Sequence, residues 1–310
     1  MGQHEQKVQT VTIEGHVVKL THLDKMIWPQ PGITKSHYLH YLTQVSGRLL
    51  PFLKDRHLTV IRFPDGIEGS SFFQKNCPDY APHFVPTDTV DDTRYIVCSN
   101  LATLIWLGNQ LALEFHIPFQ QVGQTHPSEI VFDLDPPDRS HFQLAVTAAN
   151  AMKELFDRLS LHSFVKTSGN TGLQIYLPLP KNRFTYQETR LFTSFIARYL
   201  LEKSPQLFTI ERLKKNRKDR LYIDYVQHAP GKTIVAPYSP RATPLGTVAT
   251  PLEWSEVNES LRPEQFTMQS ILHRLKQKKC PFLAYEQVRE QQPLDEILLW
   301  LQKNSHRFST

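Results

Sequence analysis

The sequence predicts a mixed α/β (α+β) protein, a central sheet with helices packed against it. Three observations carry this expectation. Short apolar runs rich in β-branched and aromatic residues alternate along the chain with longer runs of helical period. Pro, Gly and Asp mark the boundaries between them. With 310 residues, 40% hydrophobic and 11% aromatic, the chain has the length and apolar content for one large core or two small ones.

In chain order, TKSHYLHYLTQVSGRLLPFL (34–53) repeats apolar residues at helical spacing and starts on Thr34, a good N-cap residue. LTVIRF (58–63) reads as a strand and NLATLIWLGNQLALEF (100–115) as a second helix. EIVFDLD (129–135) is a strand stopped by Pro136-Pro137, and FQLAVTAANAMKELFDRL (142–159) is a helix. LQIYLPL (173–179) is a strand entered through the tight turn Thr167-Ser-Gly-Asn-Thr-Gly172. TYQETRLFTSFIARYLLEK (185–203) is a helix whose Thr185 and Glu188 form a capping box. RLYIDYV (220–226) is a further strand, and a helical tail follows from about Pro263. There is no repeat, and the 22 prolines are scattered rather than gathered in a linker. One continuous domain over residues 1–300 is expected, with its chemistry at 116–241 and a C-terminal tail at 301–310.

Composition excludes disorder and fibres. No apolar run nears the roughly 20 residues that span a bilayer, and MGQHEQKVQT offers no apolar signal core, so a soluble, cytoplasmic protein is expected. Cys77, Cys98 and Cys280 are odd in number, far apart and without CxxC pairing, which argues against a disulfide framework or a cysteine zinc site. The net charge of +5 is local in origin. Lys166 to Arg241 holds 14 Lys and Arg against 5 Asp and Glu, or +9, leaving −4 elsewhere. Its densest stretch, Arg212 to Arg220, has six cations in nine residues. Such a run is either a solvated turn or a phosphate-binding patch.

The carboxylates discriminate better. Asp133 and Asp135 are two apart in an apolar strand, so the pleat points both to one face, about 6.5 to 7 Å apart along the strand. Asp224 interrupts the strand LYIDY, where a buried carboxylate needs a partner, and a metal is one. Hard cations such as Mg²⁺ and Mn²⁺ take a few carboxylates and fill their remaining sites with water and phosphate oxygens. Three strand carboxylates beside a basic surface suggest two-metal phosphoryl or nucleotidyl transfer. DxD is also a frequent chance pattern that simply ends strands. The glycine turn at 167–172 reads as an anion nest with the Ser168 hydroxyl as a further donor, or as a plain hairpin. RFPDG (62–66) and FFQK (72–75) set cations around paired aromatics, the combination that stacks bases and holds phosphates, although paired Phe residues are more often core.

Taken in order, LDKMIWPQPGITK, RFPDG, SFFQKN, LALEFHIPF, IVFDLDPP, SGNTGLQIYLPL, LYIDY, KTIVAPYSPRA and TPLEW resemble one family, the polymerase domain of bacterial ligase D. The resemblance runs from about Thr21 to Glu256. It implies an archaeo-eukaryotic primase-like fold, with a central mixed sheet, flanking helices and an RRM-like catalytic half. It implies nucleotide addition to primer 3′-hydroxyls at gapped or broken DNA in non-homologous end joining, with ribonucleotides preferred and two Mn²⁺ or Mg²⁺ ions as cofactors. Carried over residue by residue, Asp133, Asp135 and Asp224 are metal ligands. His116, Ser168, Gly169, Gln174 and Arg241 hold the incoming nucleoside triphosphate, and Arg62, Phe72, Phe73 and Lys75 lie near base and template. Lys25, Lys35 and His22 grip a downstream 5′-phosphate. A Ku-like end-binding protein and a DNA ligase are the implied partners.

Relatives often carry a glycine-lysine-glycine-leucine-histidine pattern where this chain has Thr171 and Gln174, which either weakens triphosphate binding or leaves more of it to Arg241, Lys166 and Arg220. His22 stands where Asn is usual. Two other readings are a DNA-end binding module without catalysis, which explains the lysines but not three strand carboxylates, and a metal-dependent glycosyltransferase, which explains DxD but not the basic belt.

Overall fold

The alternation within EIVFDLD organises one half of the structure. From the strand Glu129–Asp135, Ile130, Phe132 and Leu134 point to one face and Val131, Asp133 and Asp135 to the other. The Phe132 ring meets Phe156 at 5.9 Å and Phe192 at 6.3 Å. The helices Phe142–Arg158 and Tyr186–Lys203 therefore cover the first face, and the carboxylates stand on the face away from them. Our structure, a computed structural model, describes residues 8–304. In it this strand is central to a six-stranded mixed sheet in the order Phe208–Thr209, Leu221–Asp224, Glu129–Asp135, Leu173–Pro178, Phe164–Thr167, Pro251–Leu252. All its pairings are antiparallel except the first. On the open face, Tyr176, Phe282 and Tyr285 form an aromatic cluster with Phe164, which closes one end of the sheet.

The second sheet has four strands in the order Thr233–Val235, Ala112–Pro118, Thr59–Arg62, Phe72–Gln74. Helices Lys35–Leu53 and Leu101–Asn109 pack against each other so closely at Gly108 that a Cβ there would lie 2.5 Å from Leu42. By its contacts the chain divides into two compact units. One comprises residues up to Pro118 with Ile234–Ala249 and Phe266–Lys278, the other Phe119–Thr233, Thr250–Gln265 and the chain from Lys279 on.

The expected elements are present with two corrections. The helix read over 100–115 ends at Asn109. Leu111 turns to φ +60° and donates to Gly108, and residues Ala112–Pro118 continue as a strand with Leu113 and Phe115 in the core. LALEF is apolar enough to extend a helical pattern, but its alternation is that of a strand. The hairpins Gln9–Ile13 with His16–Leu20 and Thr87–Val90 with Thr93–Ile96 are not legible in the sequence, because their strands are short and half exposed. The capping box at Thr185 is present, with Thr185 N–H donating to Glu188 at 2.8 Å and Glu188 N–H to Thr185 Oγ1 at 3.2 Å. Of the expected tail, 301–303 complete the helix Leu294–Lys303, and 305–310 lie outside the described residues. No disulfide joins Cys77, Cys98 and Cys280, and no helix among the described residues is long and apolar enough to cross a membrane.

One position ties the 167–172 turn to the carboxylate strand. A Cβ on Gly172 would fall 2.0 Å from the Leu134 carbonyl oxygen and 3.3 Å from Pro136 Cδ. Gly172→Ala is expected to cost about 3 kcal/mol and to lower the melting temperature by more than about 5 °C. Thermal unfolding followed by circular dichroism checks it, and an unchanged midpoint would mean that the turn does not rest on that strand.

Candidate active site

Strand register lines up four polar side chains across the open face of the six-stranded sheet. Lys166 is opposite Gln174, Gln174 opposite Asp133, and Asp133 opposite Asp224. Asp135, opposite Tyr222, stands two residues further along on the same face. Directly opposed antiparallel residues bring their Cβ atoms to about 4.5–5.5 Å, so Asp133 and Asp224 are immediate neighbours.

Each carboxylate has its own protein donor. Gln174 Nε2 donates to Asp133 Oδ1 at 3.1 Å. The Tyr222 hydroxyl and the Gln227 backbone N–H donate to Asp224 Oδ1 at 3.1 and 2.9 Å. Arg217 Nη1 donates to Asp135 Oδ2 at 3.3 Å while its guanidinium carbon lies 3.8 Å from the Tyr222 ring centroid. Burial is the largest influence on Asp133 and lifts its carboxyl to about 6. The charges of Asp135 and Asp224 push the same way, against the Gln174 hydrogen bond and the Lys166 charge. Asp135 is raised too, by burial first, with Arg217 and Lys214 opposing. Lys166 is fully buried, its ammonium 5.8 Å from the Tyr176 ring centroid.

An all-oxygen donor set, and a carboxylate held above its usual range by burial and two like charges, fit a hard divalent cation. Among the described residues no three His, Cys, Asp or Glu side chains are gathered to enclose a metal. The three carboxylates are instead tied to separate donors, and the Arg217 ion pair has to open before Asp135 can turn both oxygens to a cation. Asp224 and Tyr222 also border a cavity of about 490 Å³ into which Arg190, Arg212, Arg217 and Lys232 bring positive charge. The basic run at 212–220 thus reaches the carboxylates and is more than a solvated turn.

The glycine turn is a hairpin between Phe164–Thr167 and Leu173–Pro178, with Gly169 at φ +71°. Ser168 Oγ accepts from the N–H groups of Asn170 at 3.2 Å and Gly172 at 3.0 Å. Two of the converging donors are therefore turned onto Ser168 itself.

The other unit holds two more groups of the expected residues. On the strand Ala112–Pro118, Glu114 and His116 share a face, and Glu114 Oε2 lies 3.0 Å from both His116 Nε2 and Arg241 Nε. Ala242 N–H donates to the other Glu114 oxygen at 3.0 Å. Burial works to raise the Glu114 carboxyl, but His116, Arg241 and Ala242 together hold it down at about 2. Glu114 holds both side chains in place and is absent from the residues expected from sequence. Arg62 donates to Gln74 and Tyr80, each at 3.0 Å, and lies 5.3 Å from the Phe72 ring centroid. Phe72 is 45% and Phe73 71% exposed, so this pair is a surface platform rather than core. Lys75 beside it is exposed.

Lys25 and Lys35 flank the short hairpin Met26–Trp28 and Ile33–Thr34, with Lys35 N–H donating to the Lys25 carbonyl at 2.8 Å. Lys25 Nζ donates to the Pro64 carbonyl and pairs with Asp65 at 3.2 Å. Lys35, the first residue of its helix, donates to the Thr21 carbonyl at 2.7 Å. Burial, and then the Lys25 charge, lower the Lys35 ammonium to about 8. His22 is exposed at φ +50° and its carbonyl accepts from Lys25 N–H at 3.0 Å.

Comparison with known proteins identifies the family. The model of the LigD primase-polymerase domain matches residues 34–282. The bifunctional non-homologous end joining protein LigD of Bacillus subtilis is 51% identical over 288 residues, 93% of this chain and 47% of that protein. The multifunctional LigD of Mycolicibacterium smegmatis is 30% identical over 83% of this chain and 34% of its own length. The chain thus spans about half, or a third, of these relatives. The solved polymerase domain of Mycobacterium tuberculosis ligase D, determined in complex with DNA, superposes with a TM-score of 0.80 at 29% identity, over 89% of this chain and 99% of that one. On these matches and on its central mixed sheet, the chain belongs to the LigD primase-polymerase domain family.

Proposed function

We propose that this chain adds nucleotides, ribonucleotides in preference, to primer 3′-hydroxyls at gapped or broken DNA ends. The observation that carries the reading is Asp133 facing Asp224 across the sheet with Asp135 on the same face, in a chain of this family. Two Mn²⁺ or Mg²⁺ ions are assigned to Asp133, Asp135 and Asp224, and when bound they supply charge neutralisation for the triphosphate and acidify the attacking hydroxyl. Asp224, held by Tyr222 and Gln227, would help deprotonate or position that hydroxyl. Gln174 fixes one oxygen of Asp133. His116 and Arg241, oriented by Glu114, are donors for the triphosphate, as is the Ser168 hydroxyl with Gly169 beside it. Phe72 and Phe73 stack against bases, with Arg62 and Lys75 on nearby phosphates. Lys25, Lys35 and His22 take a downstream 5′-phosphate. The partners assigned by this role are a Ku-like end-binding protein and a DNA ligase, and the place is the bacterial cytoplasm, at the nucleoid. Extension of a primer on gapped duplex, with and without divalent metal, tests the reading.

Gln174 and Thr171 give a more selective test. Gln174→His with Thr171→Lys adds one or two hydrogen bonds to the charged triphosphate, each worth roughly 1.5–3 kcal/mol at most. The nucleotide KM is expected to fall while DNA affinity stays constant. A KM that is unchanged or higher would mean that these side chains do not serve the triphosphate.

A further inference from the structure

A cavity of about 620 Å³ in the unit that carries Lys25 and Lys35 has no part in the reactions above. Its size lies in the range of small-molecule sites, about 300–1,000 Å³. Aromatic rings form part of the wall. His16 and Phe84 stack at 5.0 Å and 25°, His83 meets Phe84 edge-on at 6.2 Å, and Tyr80 is 62% exposed. Lys19, exposed, adds a cation. The cavity touches both groups assigned to DNA ends. Thr21 lines it and accepts from Lys35 at 2.7 Å. Tyr80 and Gln110 line it and bind Arg62, at 3.0 Å through the Tyr80 hydroxyl and 2.8 Å through the Gln110 carbonyl, and Arg62 lies over Phe72.

We infer that this cavity receives an unpaired nucleobase of a single-stranded DNA segment lying between the 5′-phosphate lysines and the Phe72 platform. The inference rests on the function proposed above. Rings supply a sequence-tolerant stacking surface, and Lys19 supplies charge for the phosphate that accompanies the base. A base built into a strand and the base of a free nucleotide share this chemistry. The strand is favoured because the cavity borders two other DNA contacts.

The test places 2-aminopurine at successive unpaired template positions next to a phosphorylated 5′ end in gapped duplex, and measures its fluorescence on titration with the full chain. One position is expected to change strongly, and any response of free 2-aminopurine nucleoside triphosphate, which the nucleotide site assigned above can bind, is expected to be the same in parent and variants. His83→Ala and Lys19→Ala alter exposed side chains and are expected to keep the parent melting temperature. Each should abolish the fluorescence change at that strand position and weaken binding of single-stranded overhangs about tenfold, with blunt duplex binding unchanged. Tight binding of gapped DNA with no responsive position, or a strand response equal in parent and variants, overturns the site while leaving the polymerase reading intact. A response to the free nucleotide that His83→Ala and Lys19→Ala remove, with none at any strand position, overturns the strand assignment. Failure of the parent to bind any DNA overturns both.

Discussion

Replacing Asp133 and Asp135 together by Ala is expected to lower nucleotide addition by at least about 10³-fold, or ~4 kcal/mol of barrier. DNA binding should change little, because the cations assigned to phosphate lie on other residues. Stability separates this loss from misfolding. Burial, with the charges of Asp135 and Asp224, lifts Asp133 to about 6, above the usual carboxylate value. The folded state then holds a proton that the unfolded chain releases, so ionised Asp133 costs stability at pH 7. In chelator at pH 7 the variant should melt no lower than the parent, and this advantage should shrink as pH falls through about 6. Parent-rate extension by the double variant would remove these residues from the chemistry.

The second large effect concerns the DNA end. Parent protein should bind gapped DNA with a 5′-phosphate about ten- to a hundredfold tighter than the 5′-hydroxyl form, from one or two charge-assisted contacts. Replacing Lys25 and Lys35 with Ala should erase the preference and leave extension on an open template nearly unchanged. Lys35 is only 2% exposed, so Lys35→Met, which keeps the buried stem, controls for packing. Because burial and Lys25 bring the Lys35 ammonium down to about 8, the preference should weaken as pH rises through and above that value. Salt should weaken it as well. Competition binding with the two forms of DNA across pH and salt checks all of this. Full discrimination by the double variant would move the pocket elsewhere, with the basic run at 212–220 as the next candidate.

Much of the catalytic sheet is legible in the sequence. EIVFDLD coincides with the strand Glu129–Asp135, and the helices over 142–159 and 185–203 are within a residue of those observed. Strong period and clear stop signals fix such elements locally. The pleat of a single strand is also enough to put Asp133 and Asp135 on one face. What periodicity cannot supply is register. That Asp224 opposes Asp133, and that Gln174 extends the same row, depends on pairings between strands tens of residues apart. Glu114 is invisible for a related reason, since one of its partners, Arg241, lies far along the chain. LALEF reads as helix because a helix and a buried strand share an apolar run, and the left-handed Leu111 that separates them has no residue signature.

The most direct measurement of the central claim is primer extension on gapped duplex carrying a 5′-phosphate, with the four ribonucleotides and the four deoxyribonucleotides run side by side in Mn²⁺, Mg²⁺ or chelator. Metal-dependent addition at the primer 3′-hydroxyl, faster with ribonucleotides, is expected, and none in chelator. Tight DNA binding with no addition under any metal would contradict it and leave an end-binding module in its place.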